Sequence, residues 1–142
     1  MNIRQIMSSP AISVGETETV EVAARTLAQY NIGALPVCNT RGEITGVVTD
    51  RDLVTRCLAT NKMPAKTTVK EIMTGQVASV RPDTEIGAAA HLMGRLQVRR
   101  LPVVENGRLC GMVSLADMAV RDETAMDASD ALTDISSNLS AR

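Results

Sequence analysis

The sequence predicts an α+β fold of two tandem β-α-β-β-α repeats, packed sheet to sheet about a pseudo-two-fold axis. Three observations lead there. One stretch of sequence recurs at a fixed spacing. Within each copy the apolar residues alternate between strand and helix periodicity. A copy of about 60 residues is also too small to bury much surface alone, whereas two copies can share a core.

The recurrence is sharp. Ile6-Met7 returns as Ile72-Met73, 66 residues later, and the register holds for Ser13-Val14 with Ser79-Val80, Ala23-Ala24 with Ala89-Ala90, and Leu35-Pro36-Val37 with Leu101-Pro102-Val103. One loop residue is then lost. At a spacing of 65, Gly42 pairs with Gly107, Gly46 with Gly111, Val48 with Val113, Thr49 with Ser114 and Asp52 with Asp117.

In the first copy, residues 11–14 form a short β-rich run, and Val20, Ala23, Ala24, Leu27 and Tyr30 then recur at helical spacing. That helix stops near Asn31-Ile32-Gly33. Residues 35–38 and 44–48 flank the turn-forming Asn39-Thr40-Arg41-Gly42, which predicts a hairpin. A second helix from Arg51 sets Leu53, Val54, Cys57 and Leu58 on one face. The second copy repeats this over 77–80, 86–96, 101–104, 109–113 and from Leu115 onward. The expected layout is repeat one at 1–60, a polar linker at 61–67, repeat two at 68–121 and a helical tail at 122–142, all in one compact module.

Composition narrows the function. The chain has 142 residues, 44% hydrophobic and 22% charged, and no apolar run reaches the roughly 18 residues of a membrane span. Its first seven residues carry one Arg and no apolar segment, unlike a secretory signal, so a soluble cytoplasmic protein is expected. A net charge of −1 supplies no field for a polyanion, and Tyr30 is the only aromatic residue, so direct nucleic-acid binding is not expected. Cys38, Cys57 and Cys110 fit no C-x-x-C spacing and read as buried free thiols.

The chemistry-bearing residues are doubled as well. A glycine opening the last strand, Gly46 or Gly111, admits close approach of backbone or ligand. Thr49 and Ser114 fall at the strand-to-helix junction, where a hydroxyl either caps the helix or meets a phosphate. Asp52 and Asp117, three residues on, either stabilise the helix start or accept the hydroxyls of a ribose. On the ribose reading, removing Asp52 weakens binding and leaves folding almost unchanged.

Gly46-Val47-Val48-Thr49-Asp50-Arg51-Asp52 and Gly111-Met112-Val113-Ser114-Leu115-Ala116-Asp117 both resemble the G-h-h-[T/S]-x-x-D signature of CBS domains. The resemblance covers residues 1–121, and the chain is similar to small bacterial proteins made of a CBS pair and little else. It implies two crossed clefts for an adenine nucleotide, AMP, ADP or ATP. One would join Thr49 and Asp52 to Val80, Val98, Arg99, Arg100 and Pro102; the other would join Ser114 and Asp117 to Val14, Ile32, Gly33, Ala34 and Pro36. The prolines, lacking an N–H, would leave a strand edge open to the adenine.

Arg99 and Arg100 replace Gly33 and Ala34 of the first repeat, and their planar donor forks suit phosphate. Two adjacent strand residues point to opposite faces, so one of the pair is expected to reach a ligand. Arg51 is a further phosphate candidate.

The inventory for catalysis is thin. His91 is the only histidine and reads as a helix-surface residue; no P-loop or G-x-G-x-x-G occurs. No metal site is expected. Leu132, Ile135 and Leu139 lie at helical spacing in the tail, with Ser129 or Asp130 as the cap.

The expectation is a non-enzymatic regulatory module that needs no resident cofactor, binds an adenine nucleotide and signals to an unidentified protein target by changing shape. The resemblance adds a homodimer. Two alternatives stay open: an interaction protein whose clefts are empty or hold another adenosyl ligand such as S-adenosylmethionine, and a redox-linked stress protein using Cys38.

Overall fold

The computed structural model describes residues 1–121 and 123–140, with the side chains of the last helix described as far as 137. The chain divides into two compact units. A first-repeat unit holds Ala11–Val77 with Gly107–Leu109, and a second-repeat unit holds Met1–Pro10, Ala78–Asn106 and the chain from Cys110 onward.

The first-repeat unit contains β1 (Val14–Gly15), α1 (Val20–Tyr30), β2 (Ala34–Cys38), β3 (Ile44–Thr49), α2 (Asp50–Asp52), α3 (Val69–Ile72) and β4 (Thr74–Gly75). Its sheet runs β1-β2-β3-β4, with β1 parallel to β2 and the other pairs antiparallel. Thr19 Oγ1 accepts the Val22 N–H to start α1, and Asn31 ends it in the left-handed region at φ 52°. Val20, Ala23 and Leu27 face the core as the spacing predicts, while Ala24 and Tyr30 are exposed.

The second helix departs from expectation. After Asp52 it widens into a π turn over Leu53–Cys57 and tightens into a 3-10 turn over Leu58–Thr60. The change of pitch breaks the 3.6-residue stripe. Cys57 is fully buried and Leu53 packs beside the core, whereas Val54 and Leu58 are 56% and 57% exposed. The segment 61–67 is ordered, with a 3-10 turn at Pro64–Lys66 and a buried Thr67 whose hydroxyl donates to the Met63 carbonyl at 2.8 Å.

The second-repeat unit contains α4 (Ile86–Leu96), β5 (Arg100–Glu105), β6 (Arg108–Ser114), α5 (Leu115–Ala119) and α6 (Ala125–Ser140). Asn106 and Gly107 both have positive φ, 52° and 78°, which is the two-residue turn that suits a twisted hairpin and accounts for the missing loop residue. Val80 bridges Val103 in parallel on one side of the hairpin, and Ser8 bridges Met112 in antiparallel on the other.

Each unit borrows from the other copy of the repeat. Ile3 and Ile6, at the start of copy one, pack with Val80, Ile86, Leu101 and Val113, while their counterparts Val69 and Ile72 pack with Val14, Val20, Leu35 and Val48. Gly46 and Gly111 exist for this exchange. A Cβ on Gly46 would lie 2.6 Å from the Thr74 carbonyl oxygen, and one on Gly111 would lie 2.7 Å from that of Ser8. A methionine side chain approaches each glycine as well, Met73 at Gly46 and Met7 at Gly111.

In α6 the expected cap is displaced. The Thr124 carbonyl already accepts the Ala128 N–H at 3.2 Å, so the helix starts at Ala125 and leaves Ser129 and Asp130 as exposed interior positions. Ala128, Ala131 and Ile135 are buried against the unit and Leu132 is partly exposed; the side chain of Leu139 lies outside the described residues.

Candidate functional site

Both signature motifs fold into the same local structure. Thr49 and Ser114 end β3 and β6 in extended backbone and cap the helices that follow. The Asp52 N–H donates to Thr49 Oγ1 at 3.1 Å, and Asp52 Oδ2 accepts the Thr49 N–H at 2.9 Å. Ser114 and Asp117 repeat this at 3.2 and 2.8 Å. Four sequence-predicted residues therefore form two capping boxes, each with one carboxylate oxygen committed to the backbone.

The second oxygen differs between them. Asp52 Oδ1 faces the Arg56 Nε at 3.7 Å, whereas Asp117 has no ion pair among the described residues. Arg56 and Asp50 carry local electrostatics that the sequence reading did not assign. Asp50 lies inside the motif, and its carboxylate oxygen is 3.6 Å from where a Cβ on Gly33 would be.

In each unit the residue after the hydroxyl is tied to the start of the hairpin. The Asp50 N–H donates to the Gly33 carbonyl, and the Leu115 N–H donates to the Arg99 carbonyl, both at 3.0 Å. This fixes Gly33 and Ala34 beside Thr49 in one unit, and Arg99 and Arg100 beside Ser114 in the other. These contacts lie within each unit, whereas the resemblance groups the arginines with Thr49 and Asp52 of the other repeat.

Arg99, Arg100, Ser114, Leu115 and Ala116 line a cavity of about 500 Å³ whose far wall is the first half of α6. Both arginines are among its lining residues. Arg99 precedes β5, so the alternation of strand side chains does not separate the pair. Neither forms an ion pair among the described residues. Two unpaired guanidinium groups beside a helix-start hydroxyl make the mouth cationic. The matching place in the first-repeat unit has Gly33 and Ala34 where the arginines stand, with the Asp50 carboxylate beside Gly33 and Arg51, the further phosphate candidate, exposed next to it.

The remaining predicted residues are apolar, and none of them lines this cavity. Val14 and Val80 are buried, Pro36 and Pro102 are buried in mid-strand, and Ile32 and Val98 are half-buried against their cores. The Val80 N–H donates to the Pro102 carbonyl at 3.0 Å and its own carbonyl accepts from Val104 at 2.8 Å. Val80 thus offers a ligand only its side chain. β1 pairs only with Val37 and Cys38, so the β2 edge at Ala34–Pro36 extends past the strand beside it.

His91 is exposed on α4, and no cluster of metal-ligating side chains occurs among the described residues. Burial pushes the Cys38 thiol above its ordinary pKa despite a hydrogen bond with Ser13. Burial, then the charge of Glu105, does the same for Cys110. No helix among the described residues is long and apolar enough to cross a membrane.

The model of the CBS domain family matches residues 3–59 and, a second time, residues 69–124. The chain belongs to the CBS domain family. Both matches follow the repeats of the sequence, so this is a CBS pair. It is 35% identical over 135 residues to the CBS domain-containing protein YhcV of Bacillus subtilis, covering 95% of each chain. Among solved structures it resembles the CBS domain pair of MJ0100 in complex with 5′-methylthioadenosine and S-adenosyl-L-methionine, with a TM-score of 0.74, 29% identity, and coverage of 84% of this chain and 94% of that one. It also resembles CBSX2 in complex with AMP, with a TM-score of 0.74, 26% identity, and coverage of 88% and 97%.

Proposed function

We propose that this CBS pair is a regulatory module that binds an adenine nucleotide, AMP, ADP or ATP, and passes the signal on by a change of conformation. The observation that carries the reading is the pair of unpaired guanidinium groups, Arg99 and Arg100, lining one cavity with Ser114. A phosphate there gains charge-assisted bonds to planar donor forks. The free oxygen of Asp117 accepts the ribose hydroxyls, and Val80, Val98 and Pro102 supply apolar surface for the base. In the first-repeat unit Thr49 and Asp52, with Val14, Ile32, Gly33, Ala34 and Pro36, form the second and weaker set, because no cation replaces Gly33 and Ala34. AMP in CBSX2 and adenosyl compounds in MJ0100 support an adenosine-containing ligand.

The module acts as a cytoplasmic homodimer on a protein target rather than by catalysis. A second reading, S-adenosylmethionine or methylthioadenosine, is favoured by the MJ0100 complex. S-adenosylmethionine fits the first-repeat unit better, since the Asp50 carboxylate suits a sulfonium and repels a phosphate. A redox role for Cys38 gains no support from a buried thiol with a raised pKa.

A panel of melting curves tests the reading. A ligand that binds only the folded state stabilises it by about 2.7 kcal/mol at a hundredfold excess over Kd. Millimolar AMP, ADP or ATP should raise the Tm. A rise with S-adenosylmethionine alone selects the second reading, and no rise with any of the four rules out adenosyl sensing.

A further inference from the structure

We propose that α6 is a ligand-linked wall of the anion cleft: a phosphorylated ligand on Arg99 and Arg100 and the docking of α6 onto α4 stabilise each other. The proposal rests on the nucleotide reading above and adds the element that responds.

The tail carries no part of the repeated signature, yet the structure builds it into the cleft. Ala128, Ser129 and Leu132 of α6 face the cavity that Arg99, Arg100 and Ser114 line from the opposite side. With α6 docked, a phosphate on the arginines is screened from solvent on that side, where a charge-assisted bond is stronger than in open water. With α6 away the cleft loses that wall. Ligand binding and docking are therefore coupled, and by linkage the coupling is equal in both directions.

The seat of α6 is a close one against α4 and α5, and it is part of the core of this unit. Among the described residues its buried face consists of Ala128, Ala131 and Ile135. Opposite them, α4 presents Gly94, where a Cβ would lie 2.9 Å from Asp134 Oδ2 and 3.4 Å from the Ala131 Cα. Two of these three side chains are alanines, which bury less apolar area than Leu or Ile would, and a ligand that favours the docked state adds to what they contribute. Asp127, Asp130 and Asp134 of α6 make no ion pair among the described residues. At its start, the buried Thr124 hydroxyl donates to the Met118 carbonyl at 2.6 Å, which anchors the first turn of α6 to α5.

Hydrogen exchange on the full chain, with and without saturating AMP, tests this directly. AMP should slow exchange of the α6 amides several-fold together with those of β5 and α5, and adenosine should protect α6 less. Gly94→Leu, which wedges α6 off α4, should weaken AMP binding about fivefold or more, the low end of allosteric coupling, and abolish the α6 protection. If AMP protects β5 and α5 while α6 exchange is unchanged or faster, the linkage is wrong and the nucleotide reading stands. If AMP protects nothing, the nucleotide reading fails and takes the linkage with it. The wild-type comparison decides the matter even if the Gly94 variant does not fold.

Discussion

Ser114 and Asp117 hold each other: the Ser114 N–H donates to the Asp117 carboxylate at 2.8 Å, and the Asp117 N–H donates to the Ser114 hydroxyl at 3.2 Å. The pair closes the last strand of the hairpin onto the helix that follows. It leaves the second carboxylate oxygen of Asp117 outside the cap, and Asp117 has no ion pair among the described residues. The fold and the proposed site therefore use the same residue at different atoms.

This double use changes what substitution should do. Asp117→Ala removes a cap worth about 1 kcal/mol of stability and a ribose acceptor worth about 1.5 to 3 kcal/mol of binding. The same holds for Asp52→Ala, so the expectation that folding would barely change is revised. Binding should suffer less at Asp52, whose free oxygen already faces Arg56 at 3.7 Å. Urea melts and AMP titrations of the two variants check this. Lost stability with full affinity at both positions would reduce the carboxylates to caps.

Charge should separate AMP from adenosine. Replacing Arg99 and Arg100 by Gly and Ala, the residues of repeat one, should erase the preference for AMP, and salt should weaken that preference in the wild type. Titrations of both compounds at two salt concentrations report it. A double variant that keeps the full preference would mean that the guanidinium groups serve solvent.

Gly46 and Gly111 should resist even alanine. The new methyl would sit 2.6 Å or 2.7 Å from a backbone carbonyl oxygen that cannot swing aside. Each change should cost about 1 to 3 kcal/mol through overpacking, read as a lower Tm. An unchanged Tm for both would show that the exchanged segments, residues 1–10 and 67–77, do not hold their places.

The cysteines give a test against redox function. Burial raises the Cys38 and Cys110 thiols, so little thiolate exists at neutral pH, and Cys57 is fully buried with its thiol donating to the Lys62 carbonyl at 3.5 Å. A thiol reagent should modify the folded protein slowly and all three positions quickly in denaturant. Fast modification of one native thiol would revive the redox alternative.

Much of this architecture was legible in the sequence, and the exceptions have physical reasons. The paired hydroxyls and carboxylates marked the strand-to-helix junctions because each does a local job that its residue type announces. The exchange of Ile3 and Ile6 for Val69 and Ile72 was not legible. Either pair fills either core equally well on apolar character, and only the long-range closure at Gly46 and Gly111 decides. Val54 and Leu58 were set on a buried face by a 3.6-residue period that the π turn abolishes. The proximity of Arg99 and Arg100 to Ser114 follows from the Leu115 to Arg99 hydrogen bond, a contact across 16 residues that no local pattern records.

The most direct test of the central claim is a calorimetric titration of AMP into the wild-type chain. The account predicts a saturable heat, with adenosine binding more weakly and Asp117→Ala abolishing most of the signal. No heat with AMP, ADP or ATP, from a protein that melts cooperatively, would contradict it.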